Sequence, residues 1–221
     1  MIPVSVLVVA KAPVPGLAKT RLAAGVGADR AADIAAAALL DTLDAVAGSP
    51  VAARVVALTG NLDDASCAAE IRSRLQDFIV VAQRGEDFAE RLANAHLDAA
   101  AATGGLPVLQ IGMDTPQVTP ELIGRCAQSL ADNDAVLGMA RDGGWWVLGV
   151  TDAATAHCLR GVPMSAPDTG AVTLAALRDT RVHVELVCEL ADVDTVDDIG
   201  EVRRACPPGS RFSRITATVQ A

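Results

Sequence analysis

The chain has only two lysines, Lys11 and Lys19, and both lie in one short N-terminal segment together with Arg21. Every other basic residue is an arginine. Lysine is a mobile point charge suited to phosphate, and arginine adds a two-pronged fork. The segment runs from Lys11 through Gly16 and Lys19-Thr20-Arg21, after a short apolar run and before a helix. A helix N-terminus adds partial positive charge to such a loop. A lone loop lysine would be an ordinary solvated charge. The concentration of both lysines here makes Lys11, Gly16, Lys19, Thr20 and Arg21 a phosphate-binding candidate.

Two acidic positions complement that loop. Asp114 follows an apolar run in Gly112-Met113-Asp114-Thr115-Pro116, and Asp192-Val193-Asp194-Thr195 follows another. Magnesium takes a few carboxylates and completes its shell with phosphate oxygens and water. One ion held by Asp114 and one of Asp192 or Asp194 would join distant parts of the chain. The ordinary alternative is a capping aspartate at each place. Asp197 and Asp198 read as first-turn helix charges. A third feature is Asp142-Gly143-Gly144-Trp145-Trp146. Its glycines permit close backbone approach to a ligand, and a strand sends neighbouring tryptophans to opposite faces. Gln83-Arg84-Gly85-Glu86-Asp87 is a fourth, with Arg84 and Gly85 expected at the edge of the ligand crevice and Arg91 one turn into the next helix.

Other chemistries lack their signatures. There is no GxGxxG, and Gly16-Leu17-Ala18-Lys19-Thr20 lacks the glycines of a P-loop. The three histidines and five cysteines show no zinc or CxxC spacing. No GxSxG elbow or Ser-His-Asp set can be assembled. The remaining set of basic loop, acids and glycine-rich loop fits transfer of an activated phosphate-linked group by positioning and charge stabilisation, with Lys19 and Asp114 as its catalytic residues.

Elements that would position these residues follow from hydrophobic runs and their punctuation. Strands are expected at Val4–Ala10, Ala53–Leu58, Phe78–Ala82, Pro107–Gly112, Ala135–Ala140, Trp145–Val150 and Val182–Val187. Helices are expected at about 28–47 with one wet face carrying Asp29, Asp33, Asp41 and Asp44, then at Asp63–Leu75, Asp87–Ala101, Thr119 to about Ala131, Thr169–Asp179 and Asp197–Arg204. Arg141–Gly144 allows a hairpin or a change of strand direction. Alternating strands and helices, with continuously apolar strands, indicate a mainly parallel sheet covered on both faces, a doubly wound α/β domain over residues 1–205. The tail 206–221 is expected to be loose or to add an edge strand through Ile215–Val219. Such folds bind ligands beyond the carboxyl ends of their strands.

Composition narrows the partners. With 221 residues, 27 acidic and 18 basic side chains and a net charge of −9, the chain repels polyanions. Aromatics are 2% of residues, so little is available for base stacking. Nucleic-acid polymers are poor partners. No apolar run is long enough to cross a bilayer, and no basic leader precedes the first strand. A cytoplasmic protein without membrane insertion is expected.

Ala10-Lys11-Ala12-Pro13-Val14-Pro15-Gly16 followed by Lys19-Thr20-Arg21-Leu22 resembles the opening of small bacterial GT-A-type proteins, the DUF glycosyltransferases or selenodomain-associated transferases. They belong to the nucleotide-diphospho-sugar transferase superfamily, with molybdenum-cofactor and phospholactate guanylyltransferases as more distant relatives. The resemblance continues through Gln83–Leu92, Gly112–Pro116, Asp142–Gly149 and Asp192–Thr195. It implies a single-domain, Rossmann-like GT-A fold. It implies a phosphate loop at Lys11, Lys19 and Arg21, a metal acid at Asp114, a second at Asp194 (less surely Asp192), and an acceptor loop at Asp142, Gly143 and Gly144, with Trp145 beside it. Leu17, Met113 and Trp145-Trp146 depart from the family pattern, the tryptophans replacing hydroxyl-bearing tyrosines. The expected function is a Mg²⁺ (or Mn²⁺) dependent transferase that moves a glycosyl group from a nucleotide-sugar to a small acceptor. Two alternatives are nucleotidyl transfer from an NTP with release of pyrophosphate, and a non-catalytic nucleotide-sensing module.

Overall fold

The computed structural model describes residues 1–219. The N-terminal apolar run is strand β1 (Ile2–Lys11), buried without interruption from Val4 to Ala10. A strand buried on both faces belongs in the middle of a parallel sheet. It pairs parallel with β2 (Val51–Thr59) on one side and with β4 (Val108–Ile111) on the other. Beyond β2 lies β3 (Ile79–Ala82), also parallel. On the far side β6 (Trp145–Val150) runs antiparallel to both β4 and β5 (Ala135–Ala140), and β7 (Val184–Leu190) pairs parallel with β5 at the edge. The order is β3-β2-β1-β4-β6-β5-β7. The expected α/β class therefore holds, and Arg141–Gly144 is the hairpin that reverses β6.

Helices cover both faces. On one, α2 (Ala28–Gly48), α3 (Ala68–Leu75) and α5 (Pro120–Asp132) enclose a core of Val6, Val8, Leu40, Leu109 and Ile123. On the other, α4 (Phe88–Ala102), a 3-10 stretch at Ala153–Gly161 and α6 (Thr169–Asp179) enclose Leu7, Val55, Leu92, Leu137 and Leu159. Capping is as the sequence suggests: Glu90 N–H donates to Asp87 Oδ1 at 2.7 Å, and Leu122 N–H to Thr119 Oγ1 at 3.2 Å. Trp146 packs into the first core while Trp145 flanks the second, as alternation requires.

Three expectations change. The helix expected at Asp63–Leu75 is split into a 3-10 turn at Leu62–Asp64 and α3, because Cys67 turns left-handed at φ 56° between them. The tail is neither loose nor an edge strand: Arg211–Ile215 is helical, and its Phe212 is fully buried. That tail helix also covers the face of α2 expected to be wet. Asp41 accepts from the backbone N–H groups of Arg211 (3.0 Å) and Phe212 (2.8 Å), so an acid placed like a surface charge is a buried anchor. Two further helices, α1 (Thr20–Val26) and α7 (Val196–Ala205), meet the tail helix, α8, in a third small core of Leu22, Val193, Ile199, Val202 and Phe212. Among the described residues no helix is long and apolar enough to cross a membrane.

Candidate active site

The carboxyl ends of β1, β4 and β7 open on a cleft of about 800 Å³, within the range of small-molecule sites. Leu22 and Val193 share the third small core, so one set of apolar contacts fixes the segment carrying Lys19 and Arg21 and the segment carrying Asp192 and Asp194. The Asp114 loop is stitched to the second of these. Val193 N–H donates to the Asp114 carbonyl at 3.2 Å, and the Gln117 amide donates to the Ala191 carbonyl. These backbone ties bring together acids that are remote in sequence.

Lys19 sits at the N-cap position of α1 with φ 48° and ψ 51°, a left-handed conformation that costs a non-glycine residue about 1 kcal/mol or more. The conformation carries its ammonium inward. Nζ donates to Asp114 Oδ2 and Asp194 Oδ1, each at 2.8 Å, and Arg21 Nη1 takes Asp194 Oδ2 at 3.0 Å. Asp192 completes the group: one carboxylate oxygen from each of Asp114, Asp192 and Asp194 lies within 4.8 Å of the others. Asp198 stands behind them and caps α7, accepting from the N–H groups of Asp194 (3.0 Å) and Thr195 (2.6 Å). The capping role considered for Asp194 therefore belongs to Thr195 and Asp198, and Asp194 is left to face the cleft.

Electrostatics follow from this crowding. Burial pushes Lys19 toward neutrality, but Asp114 and Asp194 outweigh it and hold the ammonium charged. Burial also works against the Asp194 carboxylate, yet Lys19 and Arg21 bring its pKa below the usual range. Asp192 makes no ion pair among the described residues, and Lys19 offsets only part of what acts on it. Burial, with the negative charges of Asp114, Asp142 and Asp194 around it, pushes its carboxyl up to about 7. Three carboxylates with oxygen-only donors fit a hard divalent ion such as Mg²⁺ or Mn²⁺.

A further part of the wall, near Asp192, is the Asp142 turn. Gly144 N–H donates to Asp142 Oδ1 at 2.8 Å, and Gly170 N–H to the Gly143 carbonyl at 2.8 Å, locking the turn against the first turn of α6. Gly143 has φ 93°, and a Cβ there would lie 1.8 Å from the Pro167 carbonyl oxygen, so its glycine serves packing rather than ligand access. Asp142, Gly144 and Trp145 line the cleft together with Met164, Ser165 and Pro167.

Of the residues read from sequence, the structure brings Lys11, Lys19, Thr20, Arg21, Asp114, Asp142, Gly144, Trp145, Asp192 and Asp194 to this cleft. Gly16, Arg84, Gly85 and Gly143 are not in its lining. Arg84 turns away to a two-pronged pair with Asp98 (Nε–Oδ2 and Nη2–Oδ1, both 2.8 Å), and Gly85 is needed where the chain passes the Arg91 backbone. Their neighbours Gln83, Phe88 and Arg91 line the cleft instead. Sequence reading overlooked Gln83. Its Nε2 donates to the carbonyls of Ala10 (2.8 Å) and Ala57 (2.9 Å) at the ends of β1 and β2. Those two carbonyls leave the amide only one orientation, with Oε1 as an acceptor that meets no protein donor among the described residues. A glutamine placed directly after a strand was the only available signal.

A family model matches residues 42–166. The chain belongs to DUF2064, uncharacterized proteins conserved in bacteria. The matched segment of this DUF2064 protein holds Gln83, Asp114 and Asp142–Trp145, whereas Lys19 and Asp194 lie outside it. No curated protein matches the chain. Among solved structures, it is similar to one from Desulfovibrio desulfuricans G20, provisionally named a nucleotide-diphospho-sugar transferase. The two share 28% identity and a TM-score of 0.83 over 99% of this chain and 97% of that one. This agrees with the resemblance in the motifs and supports the transferase class. Two remoter likenesses concern the fold. Rv0371c from Mycobacterium tuberculosis H37Rv, in complex with manganese, is 19% identical with TM-score 0.55 over 90% of this chain and 97% of that one. The 4-diphosphocytidyl-2C-methyl-D-erythritol synthase from Anaerococcus prevotii DSM 20548 is 15% identical with TM-score 0.59 over 90% and 93%.

Proposed function

We propose that this DUF2064 protein is a divalent-metal-dependent transferase that moves a glycosyl group from a nucleotide-sugar donor to a small acceptor. The observation that carries the reading is the group of Asp114, Asp192 and Asp194 around the Lys19 ammonium, in a cleft also lined by the Asp142–Gly144 turn. The fold shared with a provisionally named nucleotide-diphospho-sugar transferase and the manganese in a more remote fold relative support it.

In this reading the three aspartates hold Mg²⁺ or Mn²⁺, which supplies charge neutralisation for the donor's diphosphate. Lys11 and Arg21 reach the phosphates from the β1 side, and Lys19 meets the charge that develops as the nucleoside diphosphate departs. Gln83 Oε1 accepts a hydrogen bond from a donor group of the base. Asp142 and Trp145 hold the acceptor, whose hydroxyl oxygen bonds to the sugar's anomeric carbon as the bond to the diphosphate breaks and its proton passes to the Asp142 carboxylate.

A second reading, nucleotidyl transfer, is favoured by one observation: three cations, Lys11, Lys19 and Arg21, gather on one loop, which suits a triphosphate. The fold relative that is a diphosphocytidyl-methylerythritol synthase is consistent with it. There the acceptor oxygen bonds to the α-phosphorus and pyrophosphate leaves. Turnover assays over NTPs and nucleotide-sugars with Mn²⁺ and pooled small alcohols, sugars and phosphosugars separate the readings. Released nucleoside diphosphate supports glycosyl transfer, and released pyrophosphate supports nucleotidyl transfer. Metal-dependent binding with neither product would point to a nucleotide sensor.

A further inference from the structure

We infer that Lys19 is a stand-in cation: it neutralises Asp114 and Asp194 until donor phosphates draw it away, so that metal and donor can bind tightly only together. The inference rests on the metal-dependent reading above and adds an order of events to it.

The geometry of each carboxylate carries the argument. Asp114 Oδ1 turns back toward Gly112, 2.6 Å from where a Cβ on that glycine would lie, so Oδ2 is the oxygen that faces Lys19. Lys19 Nζ holds it at 2.8 Å. Both oxygens of Asp194 are engaged as well, Oδ1 by Lys19 at 2.8 Å and Oδ2 by Arg21 at 3.0 Å. Only Asp192 is without a cationic partner among the described residues. A divalent ion bonds carboxylate oxygen at about 2.0–2.2 Å. An ion sharing Asp114 Oδ2 and Asp194 Oδ1 with the ammonium would face a like charge across the same two oxygens, at carboxylates only about a third exposed. Ion and ammonium therefore compete for one place.

Lys19 has the means to leave. Its backbone is in the left-handed region at φ 48°, on the flank of an exposed turn, Pro15 to Leu17. Its long side chain can reach other oxygens without moving α1, which Leu22 anchors. The phosphates of a donor in the cleft are the nearest compensating anion for a displaced ammonium. Donor binding thus frees the two carboxylates, and metal binding frees the ammonium, so each ligand raises the affinity of the other by the same factor. Arg21 is an exposed partner of Asp194 and would be the weaker competitor.

Titration of Mn²⁺ alone, followed by electron paramagnetic resonance of the free ion, tests this on Lys19→Met, which keeps an unbranched side chain one atom shorter and removes the charge. Parent and variant are compared with and without inorganic pyrophosphate as the phosphate probe. The inference requires Lys19→Met to bind Mn²⁺ at least tenfold more tightly than the parent in the absence of pyrophosphate. It also requires pyrophosphate to tighten Mn²⁺ binding in the parent by more than its effect in the variant. A cooperative thermal melt verifies that the variant is folded, and Lys19→Gln replaces it if it is not. Unchanged or weaker Mn²⁺ binding in the folded variant would overturn the inference and mark Lys19 as an ordinary phosphate ligand. The transferase reading fails separately. If the parent binds no nucleotide or nucleotide-sugar while the variant gains Mn²⁺ affinity, competition at the cluster stands and the donor reading falls.

Discussion

On the outer side of α2, Arg211 is gripped by Asp41, Asp44 and Glu70. Beyond the ends of β1 and β4, Lys19 is gripped by Asp114 and Asp194 with Asp192 beside them. Each group sets one inward cation among three acids, and their surroundings make them different objects. The Arg211 guanidinium spreads over three partners, with Asp44 at 2.6 Å, Glu70 at 2.8 Å and Asp41 at 3.3 Å. Asp41 has both oxygens committed to backbone N–H donors of the tail as well. Each of its acids has a cationic partner, and the cluster fastens one helix to another, although it too borders a cavity, of about 480 Å³. In the Lys19 cluster, at the larger cleft, Asp192 makes no ion pair among the described residues, and burial together with the neighbouring acids pushes its carboxyl up to about 7. Ion pairs by themselves therefore do not mark a site. What marks it is an acid left without a partner at the end of a parallel strand.

The comparison can be broken by substitution. Asp114→Asn should have the largest effect: about 10²–10³ less metal-dependent turnover of whichever donor is consumed, roughly 2.7–4 kcal/mol, by analogy with loss of a preorganised charge-stabilising group. Its melting temperature without metal should fall only modestly, because relief of repulsion on Asp192 partly offsets the loss of an ion-pair partner for Lys19. Calorimetric Mn²⁺ titration and a thermal melt read both. Asp41→Ala should do the reverse. Losing charged acceptors for two backbone N–H groups and for Arg211 should cost about 2–4 kcal/mol in urea unfolding, while the folded variant keeps the parent's nucleotide affinity. If both substitutions behaved alike, the distinction between a fully paired cluster and one with an unpaired acid would fail.

A smaller effect sharpens the same contrast through pH. His96 is fully buried under the sheet beside Gln110, and burial, partly offset by that amide, brings its pKa down to about 3. The unfolded chain protonates this imidazole near pH 6.5 and the folded chain does not, so stability falls as pH drops below about 6.5, by at most about 1.4 kcal/mol per unit. Asp192 acts in the opposite sense. Folded, it takes up a proton near 7, whereas unfolded it does so only near about 3.9. Its contribution to stability therefore rises as pH falls through that window, by less than a full proton's worth because it is partly exposed. Denaturation between pH 6.5 and 4.5 should show a shallow profile for the parent, a steeper acid loss for Asp192→Asn, and stability rising toward acid for His96→Met. Parallel profiles for all three would remove the assigned environments.

Much of this was legible in the sequence because it depends on local pattern. Short apolar runs marked β1 and β4, Thr119-Pro120 marked the start of α5, and the isolation of Lys11 and Lys19 pointed to the loop. What stayed hidden depends on tertiary contact. The acid periodicity of α2 looks the same whether water or Arg211 meets it, so Asp41 read as a surface charge. The short tail helix has no periodicity to detect and is held by Phe212. Gln83 and Arg84 are adjacent and both polar, and only the carbonyls at the ends of β1 and β2 decide that the glutamine faces the cleft. The closeness of Asp114 to Asp194 rests on one backbone hydrogen bond from Val193 and on a core shared with Leu22.

The central claim is that this acidic cluster holds a divalent ion against the phosphates of a nucleotide donor. Calorimetric titration of the parent protein with the nucleotide or nucleotide-sugar that stabilises it most, in Mn²⁺ and again in EDTA, tests it directly. Saturable binding in Mn²⁺ that disappears in EDTA, and is absent in both for Asp114→Asn, is the predicted result. Equal affinity in Mn²⁺ and in EDTA would contradict it.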